Sequence, residues 1–429
     1  MSRFVPRPWH ATIFRATAAG LCILGTLSPV AAGPLNPPAG PVASTGKTLT
    51  EVEPRIAISK ANTPGDADSV YRITLPGSYY LTESVVGVSG RHGIEIAASD
   101  VTIDLMGYAV RGAAGSLTGI RTDGERDRIV IRNGAVHGWG GAGVDLLAGG
   151  TGYQSRFEHV VAANNVGLGL RGNVSCVFFA CLARNNGTDG LVSQAEGQFS
   201  HCLARENGRD GFVTGTSGGQ VSNCMARQNG RHGFNLGLAS QVSHSTAQFN
   251  TGDGFMVFGA SVLTACTARS NSTSGIRTTQ TCVVVDCVAS QNGEHGITVG
   301  EGSSVRACVA WQNTADGIRL SDDCSATQNT CDGNGVGTGS GAGIVATGID
   351  NVIRLNNCTD NDRGIECLTF GNLIVQNFCS GNASNWNLAA DNHYGPIVNI
   401  TALPGAAVSG MGGATSTLAT TDPWANFSH

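Results

Sequence analysis

Between Cys181 and Asn329 the chain repeats itself seven times, and that period limits its fold more than any other feature. The units read CLARNNGTDGLVSQAEGQFSH, CLARENGRDGFVTGTSGGQVSN, CMARQNGRHGFNLGLASQVSH, STAQFNTGDGFMVFGASVLTA, CTARSNSTSGIRTTQTCVVVD, CVASQNGEHGITVGEGSSVRA and CVAWQNTADGIRLSDDCSATQN. Their heads are Cys181, Cys202, Cys224, Ser245, Cys266, Cys287 and Cys308, spaced by 21 or 22 residues. Five residues after each head stands an asparagine: Asn186, Asn207, Asn229, Asn250, Asn271, Asn292, Asn313. A fixed period of this size marks a solenoid or a related array. No unit carries the long 3.6-period apolar stripe of a helical repeat, and the leucine ladder of leucine-rich repeats is missing. Short β-branched and aromatic runs broken by Gly, Asn, Ser and Asp are strand-and-turn chemistry. Each unit is therefore expected to be one coil of a parallel β-helix.

Stacked coils superpose equivalent positions at roughly 4.8 Å, so a column in the sequence becomes a ladder in space. Phe199, Val221, Val242, Leu263, Val284 and Val305 form an inward apolar row. Ala183, Ala204, Ala226, Ala247, Ala268, Ala289 and Ala310 form a row small enough for a tight interior. The Asn row marks a bend, where stacked amides can bond one another and otherwise unpaired carbonyls. A ligand-binding role for that row is the competing reading, and internal pairing is the simpler one.

This pattern resembles the right-handed parallel β-helix superfamily of pectate lyases, polygalacturonases, alginate epimerases and NosD-type periplasmic proteins, over roughly residues 70–400. The resemblance implies the right hand; the spacing does not. The DLMG start and the TTDPWANFSH ending resemble an uncharacterised family of secreted bacterial β-helix proteins, which brings no reaction with it. The predicted fold is all-β: a single-domain right-handed parallel β-helix with caps at both ends.

In chain order, Arg3, Arg7 and Arg15 precede an apolar run ending Val30-Ala31-Ala32, the pattern of a secretory signal peptide over residues 1–32. Residues 33–50 read as a Pro/Gly/Ser linker. The β-helix with its N-terminal cap is expected over 51–382, and residues 383–429 are expected to form a C-terminal cap and tail. Trp386, Tyr394, Trp424 and Phe427 are read there as a cluster covering the last coil. No stretch is long enough for a membrane span. A formal net charge of −5 indicates neither nucleic acid nor anionic membrane as a partner.

Fourteen cysteines in an exported chain would ordinarily mean disulfides. Columnar placement argues otherwise, because in-register neighbours have parallel Cα–Cβ vectors, poor geometry for a disulfide. Buried free thiols are expected, with the pairs Cys176/Cys181 and Cys282/Cys287 as the conceivable exceptions. No zinc spacing is present, so no cofactor is expected, with calcium between two acids of one column as the open case.

Two columns carry candidate chemistry. The residue before each strand-opening glycine is Asp189, Asp210, His232, Asp253, Ser274, His295 or Asp316. Acids and histidines a few ångströms apart suit general acid–base work. Equally, Asp and Asn suit a tight turn by bonding their own backbone, and one active site needs fewer residues than this column offers. Asp189, Asp210, His232 and Asp253 are the catalytic candidates. The polygalacturonase set NTD, DD, GHG and RIK is not reproduced: Asp322-Asp323 and the EHG around His295 stand without an RIK partner, and the DPHE of alginate epimerases is absent. Only Lys47 and Lys60 exist, both ahead of the repeats, so a lysine-base lyase has no candidate in the coils.

The second column is Arg184, Arg205, Arg227, Gln248, Arg269, Ser290 and Trp311. Like charges on adjacent strands repel, so three successive arginines call for an anion or an acidic neighbour such as Glu206. Arg184, Arg205, Arg227 and Arg269 offer bidentate forks to carboxylates or sulfates, with Trp311 as a sugar-stacking platform; a merely solvated row is the plain alternative. The expectation is an exported protein, secreted or at the periplasm and cell envelope, monomeric, binding acidic polysaccharide without catalysis. The alternative is a carbohydrate-active enzyme, a lyase, epimerase or hydrolase of uronate-containing glycans.

Overall fold

The computed structural model describes residues 53–147, 150, 152–337, 339, 341–399 and 421–429. The expected signal peptide and linker lie outside the described residues. Each regular coil has three short strands, as in Leu191–Ala195, Gln198–Ser200 and Leu203–Arg205. Every strand pairs in parallel with its counterpart one coil on: Leu191 with Phe212, Phe199 with Val221, Ala204 with Ala226. Among the described residues this gives a narrow sheet of 15 strands and a wide sheet of 30, the latter folded along a corner. The narrow sheet runs from Ser69–Ile73 to Ser384–Leu388, so coil pairing continues past residue 382.

Three corners per coil turn the chain, and each uses one left-handed residue. In one coil these are Glu196, His201 and Glu206, with φ of 52°, 55° and 55°. A non-glycine residue pays roughly 1–2 kcal/mol for this conformation. The next residue then points inward, and its backbone N–H leaves the strand ladder. That buried N–H needs an acceptor, and the following coil supplies one from its own side chain.

At the third corner the acceptor is the expected asparagine. Asn186 Nδ2 donates to Asn207 Oδ1 at 2.9 Å, Asn207 to Asn229 at 3.0 Å and Asn229 to Asn250 at 3.0 Å, while each Oδ1 also takes the preceding Asn N–H. The ladder runs beyond the regular repeats, from Asn165 to Asn382. The second corner explains the cysteine heads. Cys181 N–H donates to Cys202 Sγ at 3.5 Å, Cys224 N–H to Ser245 Oγ at 3.2 Å, and Cys308 N–H to Asn329 Oδ1 at 2.9 Å. Thiol, hydroxyl and amide thus serve one purpose in one column. All cysteines among the described residues are free and buried, including Cys176, Cys181, Cys282 and Cys287. Burial pushes the Cys176 and Cys367 thiols up to about 12, so they behave as small apolar side chains rather than nucleophiles.

The Ala row and the inward apolar row are buried as expected. Aromatic rings stack along the axis: Phe157, Phe178 and Phe199 at 4.8 Å, and Phe212, Phe234 and Phe255 at 4.7 Å. The strand-opening glycine locks these rows together. A Cβ at Gly211 would stand 2.6 Å from Gly233 O, 2.8 Å from Asn229 Nδ2 and 3.2 Å from Ala226 Cβ. The Asn ladder occupies the space that a side chain there would need. At the C-terminal end the aromatic cluster divides. Trp386 packs on the core and Phe427 pairs with Phe378, but Tyr394 and Trp424 are 56% and 51% exposed. Trp424 instead stacks under Arg354, whose guanidinium carbon lies 5.7 Å from the ring centroid. Their backbones still close the stack, Tyr394 in register with Ile374 and Trp424 O accepting Gln376 N–H at 3.3 Å, beside the closing strand Asn426–Ser428; it is their side chains that turn outward.

Candidate functional site

Two faces bear the candidate residues, and they differ in how their charges are satisfied. On the narrow-sheet side, the Asp/His column caps backbone across coils rather than within its own turn. Asp189 Oδ1 accepts Asp210 N–H at 3.1 Å, Asp210 Oδ1 accepts His232 N–H at 3.0 Å, His232 Nδ1 accepts Asp253 N–H at 3.0 Å, and Asp253 Oδ1 accepts Ser274 N–H at 2.9 Å. His295 and Asp316 continue the pattern to Ala342. The expectation that these side chains bond their own backbone is corrected: a parallel stack puts the nearest unpaired N–H one coil away.

These acids are also held from outside. Asp210 is fully buried and takes Arg231 Nε at 2.7 Å, Arg231 Nη2, and Asn235 Nδ2 at 2.9 Å besides the His232 N–H. Asp253 takes Thr273 Oγ1 at 2.6 Å and Arg277 Nε at 3.0 Å; Asp316 takes Arg319 Nη1 at 3.2 Å. Burial works to raise the Asp210 and Asp316 pKa values, and the hydrogen bonds and charges around them outweigh it, holding both carboxyls below their ordinary range. A carboxylate whose lone pairs are so engaged is a weak base. Burial depresses the His232 pKa against the pull of Asp210 and Asp253, which fits a neutral ring accepting the Asp253 N–H. Asp189 is the least engaged member, with Arg209 Nη1 at 3.8 Å.

The sequence reading missed a charged ladder on the same sheet. Arg72, Glu95, Arg121, Asp145 and Arg171 are successive outward positions, alternating in sign from coil to coil. Arg72 contacts Glu95, Asp66 at 3.0 Å and Asp123 at 2.5 Å; Arg171 Nε meets Asp145 at 2.8 Å. The signal was present in GIEI, GIRT, GVDL and GLRG, where the third letter is this outward position. Irregular coil lengths hid the column.

The Arg row occupies the edge of the wide sheet, beside the Asn corner. Arg184, Arg205 and Arg227 are in register on adjacent strands, half-buried, half-buried and exposed. Among the described residues none of the three donates to a close carboxylate: the nearest is Glu206 Oε1, 3.9 Å from Arg205 Nη1. The Arg205 Nε is buried without a partner. Arg227 lies over Phe249 at 5.5 Å, and Arg269 Nε reaches Gln291 Oε1 at 3.0 Å. Trp311 is 38% exposed in the same column. Register also extends the row backwards through Ala163 to His137 and Arg111. Burial, then Arg111 and Arg184, lower the His137 pKa. Next to the row runs an open groove lined by Asn164, Asn185, Glu206 and Gln228, with Gly187, Gly208 and Gly230 at its floor.

Among the described residues no group of three or more His, Cys, Asp or Glu converges as a metal site. There too, no helix is long and apolar enough to cross a membrane.

The sequence matches the family described as right handed beta helix region over residues 86–241, 212–336 and 239–384, together well over half of the chain. No curated protein matches it. Similar solved structures include the A-module of a mannuronan C-5 epimerase from Azotobacter vinelandii, at 15% identity over 74% of this chain and 90% of that one, with a TM-score of 0.41. The Dettilon tailspike protein is 14% identical over 70% of this chain and 62% of that one, at 0.42. The catalytic unit of an α-1,3-glucanase from Streptomyces thermodiastaticus is 12% identical over 82% of this chain and 70% of that one, at 0.36. Likeness at this level says nothing about what this chain binds.

Proposed function

The chain belongs to the right-handed β-helix family, and we propose that it is an exported glycan-binding solenoid whose Arg row holds acidic polysaccharide without turning it over. One observation carries this reading: Arg184, Arg205 and Arg227 are stacked in register with no carboxylate closer than 3.9 Å among the described residues. On the narrow sheet, by contrast, Arg72, Arg171, Arg231, Arg277 and Arg319 each meet an acid within 3.2 Å. Stacked like charges repel, and a polyanion beside them relieves that repulsion while filling their bidentate donors. Side chains on the groove supply the amides that sugar hydroxyls need. Catalysis at Asp210 or Asp253 is disfavoured because both carboxylates are already saturated with donors; Asp189 is the acid through which the enzyme reading would have to work.

The test uses the mature chain with polyuronates and sulfated glycans, with and without calcium, following retention, unsaturated ends and reducing ends. Expected are salt-sensitive retention, no turnover, and roughly tenfold weaker binding in Arg205→Gln/Arg227→Gln, about 0.7 kcal/mol per exposed charge. Turnover that disappears in Asp189→Asn would overturn the non-catalytic reading. Binding unchanged in the double Arg variant would overturn the site.

A further inference from the structure

The Arg column does not stay basic. Followed in register it reads Arg111, His137, Ala163, Arg184, Arg205, Arg227, Gln248, Arg269, Ser290, Trp311, Asp332, Thr359. Asp360 follows Thr359 at the adjoining corner, exposed and left-handed at φ 55°. Asp332 accepts only the Thr359 hydroxyl, at 2.6 Å, and neither acid has a cation within ion-pair reach among the described residues. The depressions along it differ as well: Gly187, Gly208 and Gly230 line the one beside the arginines, whereas Thr314, Gly333 and Val336 line a second one beside Asp332 and Asp360. One continuous face therefore turns from unpaired positive to unpaired negative, with Trp311 at the boundary.

We propose that this face reads the charge pattern of its glycan along the axis: an anionic block lies over Arg111 to Arg269, and the acidic end refuses further uronates beyond Trp311. The inference rests on the glycan-binding reading above. Coils advance by roughly 4.8 Å, so Arg269 and Asp332, three coils apart, are separated by about 14 Å. That exceeds the Debye length of about 8 Å at physiological salt, so the acids leave the Arg block undisturbed. They act on whatever passes over them, and a carboxylate there would meet two like charges. A ligand that continues past Trp311 must do so with neutral sugar, which the indole face can stack. The preferred ligand is then a heteroglycan with acidic and neutral segments, or a short uronate block, rather than a long uniform polyuronate.

The experiment compares oligogalacturonates of about five, about eight and about twelve units, shorter than, matched to and longer than the roughly eight-coil basic stretch, on the wild type and on Asp332→Asn/Asp360→Asn. Asparagine keeps the Thr359 acceptor and tolerates the left-handed corner, and unchanged thermal unfolding verifies the fold. In the wild type the longer oligomer should gain nothing over an eight-unit one. In the variant it should bind roughly threefold to tenfold tighter, the scale of two close charges in water, with the short oligomer unaffected. Equal strengthening of all lengths, or of none, overturns the inference while leaving glycan binding intact. No binding of any length to the wild type, unaltered by Arg205→Gln/Arg227→Gln, overturns the glycan reading and this inference with it.

Discussion

Replacing Asn229 with alanine tests whether the corner ladder holds the coils in register. Asn229 Oδ1 accepts Asn207 N–H at 3.2 Å and Asn207 Nδ2 at 3.0 Å; its Nδ2 donates to Ala204 O at 3.2 Å and Asn250 Oδ1 at 3.0 Å. Alanine removes all four bonds from a buried site. Two of the abandoned groups keep another partner: Asn207 Nδ2 still reaches Ala183 O at 3.2 Å, and Asn250 Oδ1 still takes the residue 229 N–H at 3.1 Å. The Asn207 N–H loses its side-chain acceptor, and an orphaned buried donor costs about 1–3 kcal/mol. With about 1 kcal/mol for each of the remaining bonds, discounted for the retained partners, the expected loss is about 3–4 kcal/mol. Because a solenoid's stability is a sum of coil and neighbour terms, the damage should be local. Urea unfolding gives the global figure, and amide exchange at Asn207 gives the local opening. Gln228→Ala, one residue away on the exposed side of the corner, is the control and should change stability by less than about 0.5 kcal/mol. A loss below about 1 kcal/mol with the Asn207 amide still protected would refute the account of the ladder.

Four further outcomes follow from the same geometry. Cys287→Ser should be nearly neutral, since Ser245 already fills that column, whereas Cys287→Ala should cost about 1–2 kcal/mol in chemical unfolding by orphaning the Cys266 N–H. Phe234→Ala, in the middle of a three-ring stack, should cost about 3–5 kcal/mol by the same measurement. Stability should fall on acidification in two stages. The lowered His232 pKa contributes stability that is full above about 6.5 and is lost as pH drops through the folded value; the lowered Asp210 and Asp316 values contribute stability that is full above about 3.9 and is lost below it. His232→Asn, which keeps an acceptor for the Asp253 N–H, should shrink the first stage in a melting-temperature series against pH, leaving the part due to His92 and His137, whose pKa values burial also lowers. Finally, a uronate bound on the Arg row should raise the His137 pKa, read by NMR titration, because an anion offsets the field of Arg111 and Arg184.

The repeat determined a parallel β-helix and its inward rows and favoured a paired Asn ladder, since a strict period in a parallel stack leaves each column one environment; the hand of the helix came from the family resemblance. It also argued against disulfides along a column, while the pairs Cys176/Cys181 and Cys282/Cys287 stayed open until the structure placed all four as free thiols. What it could not reach was partnership between coils of unequal length. Arg111 and His137 belong to the Arg row, but 26 residues separate each step there, so no spacing announced them. The same irregularity concealed the Arg72–Glu95–Arg121 alternation. The two charged columns look alike in sequence, each a row of ionisable residues beside a glycine or a bend. Only tertiary structure distinguished them. Residues one or two coils apart decide whether an arginine finds a carboxylate, as Arg277 finds Asp253, or finds none among the described residues, as Arg184 does. Column identity is written locally, in the period; satisfaction of charge is decided by what the winding brings alongside.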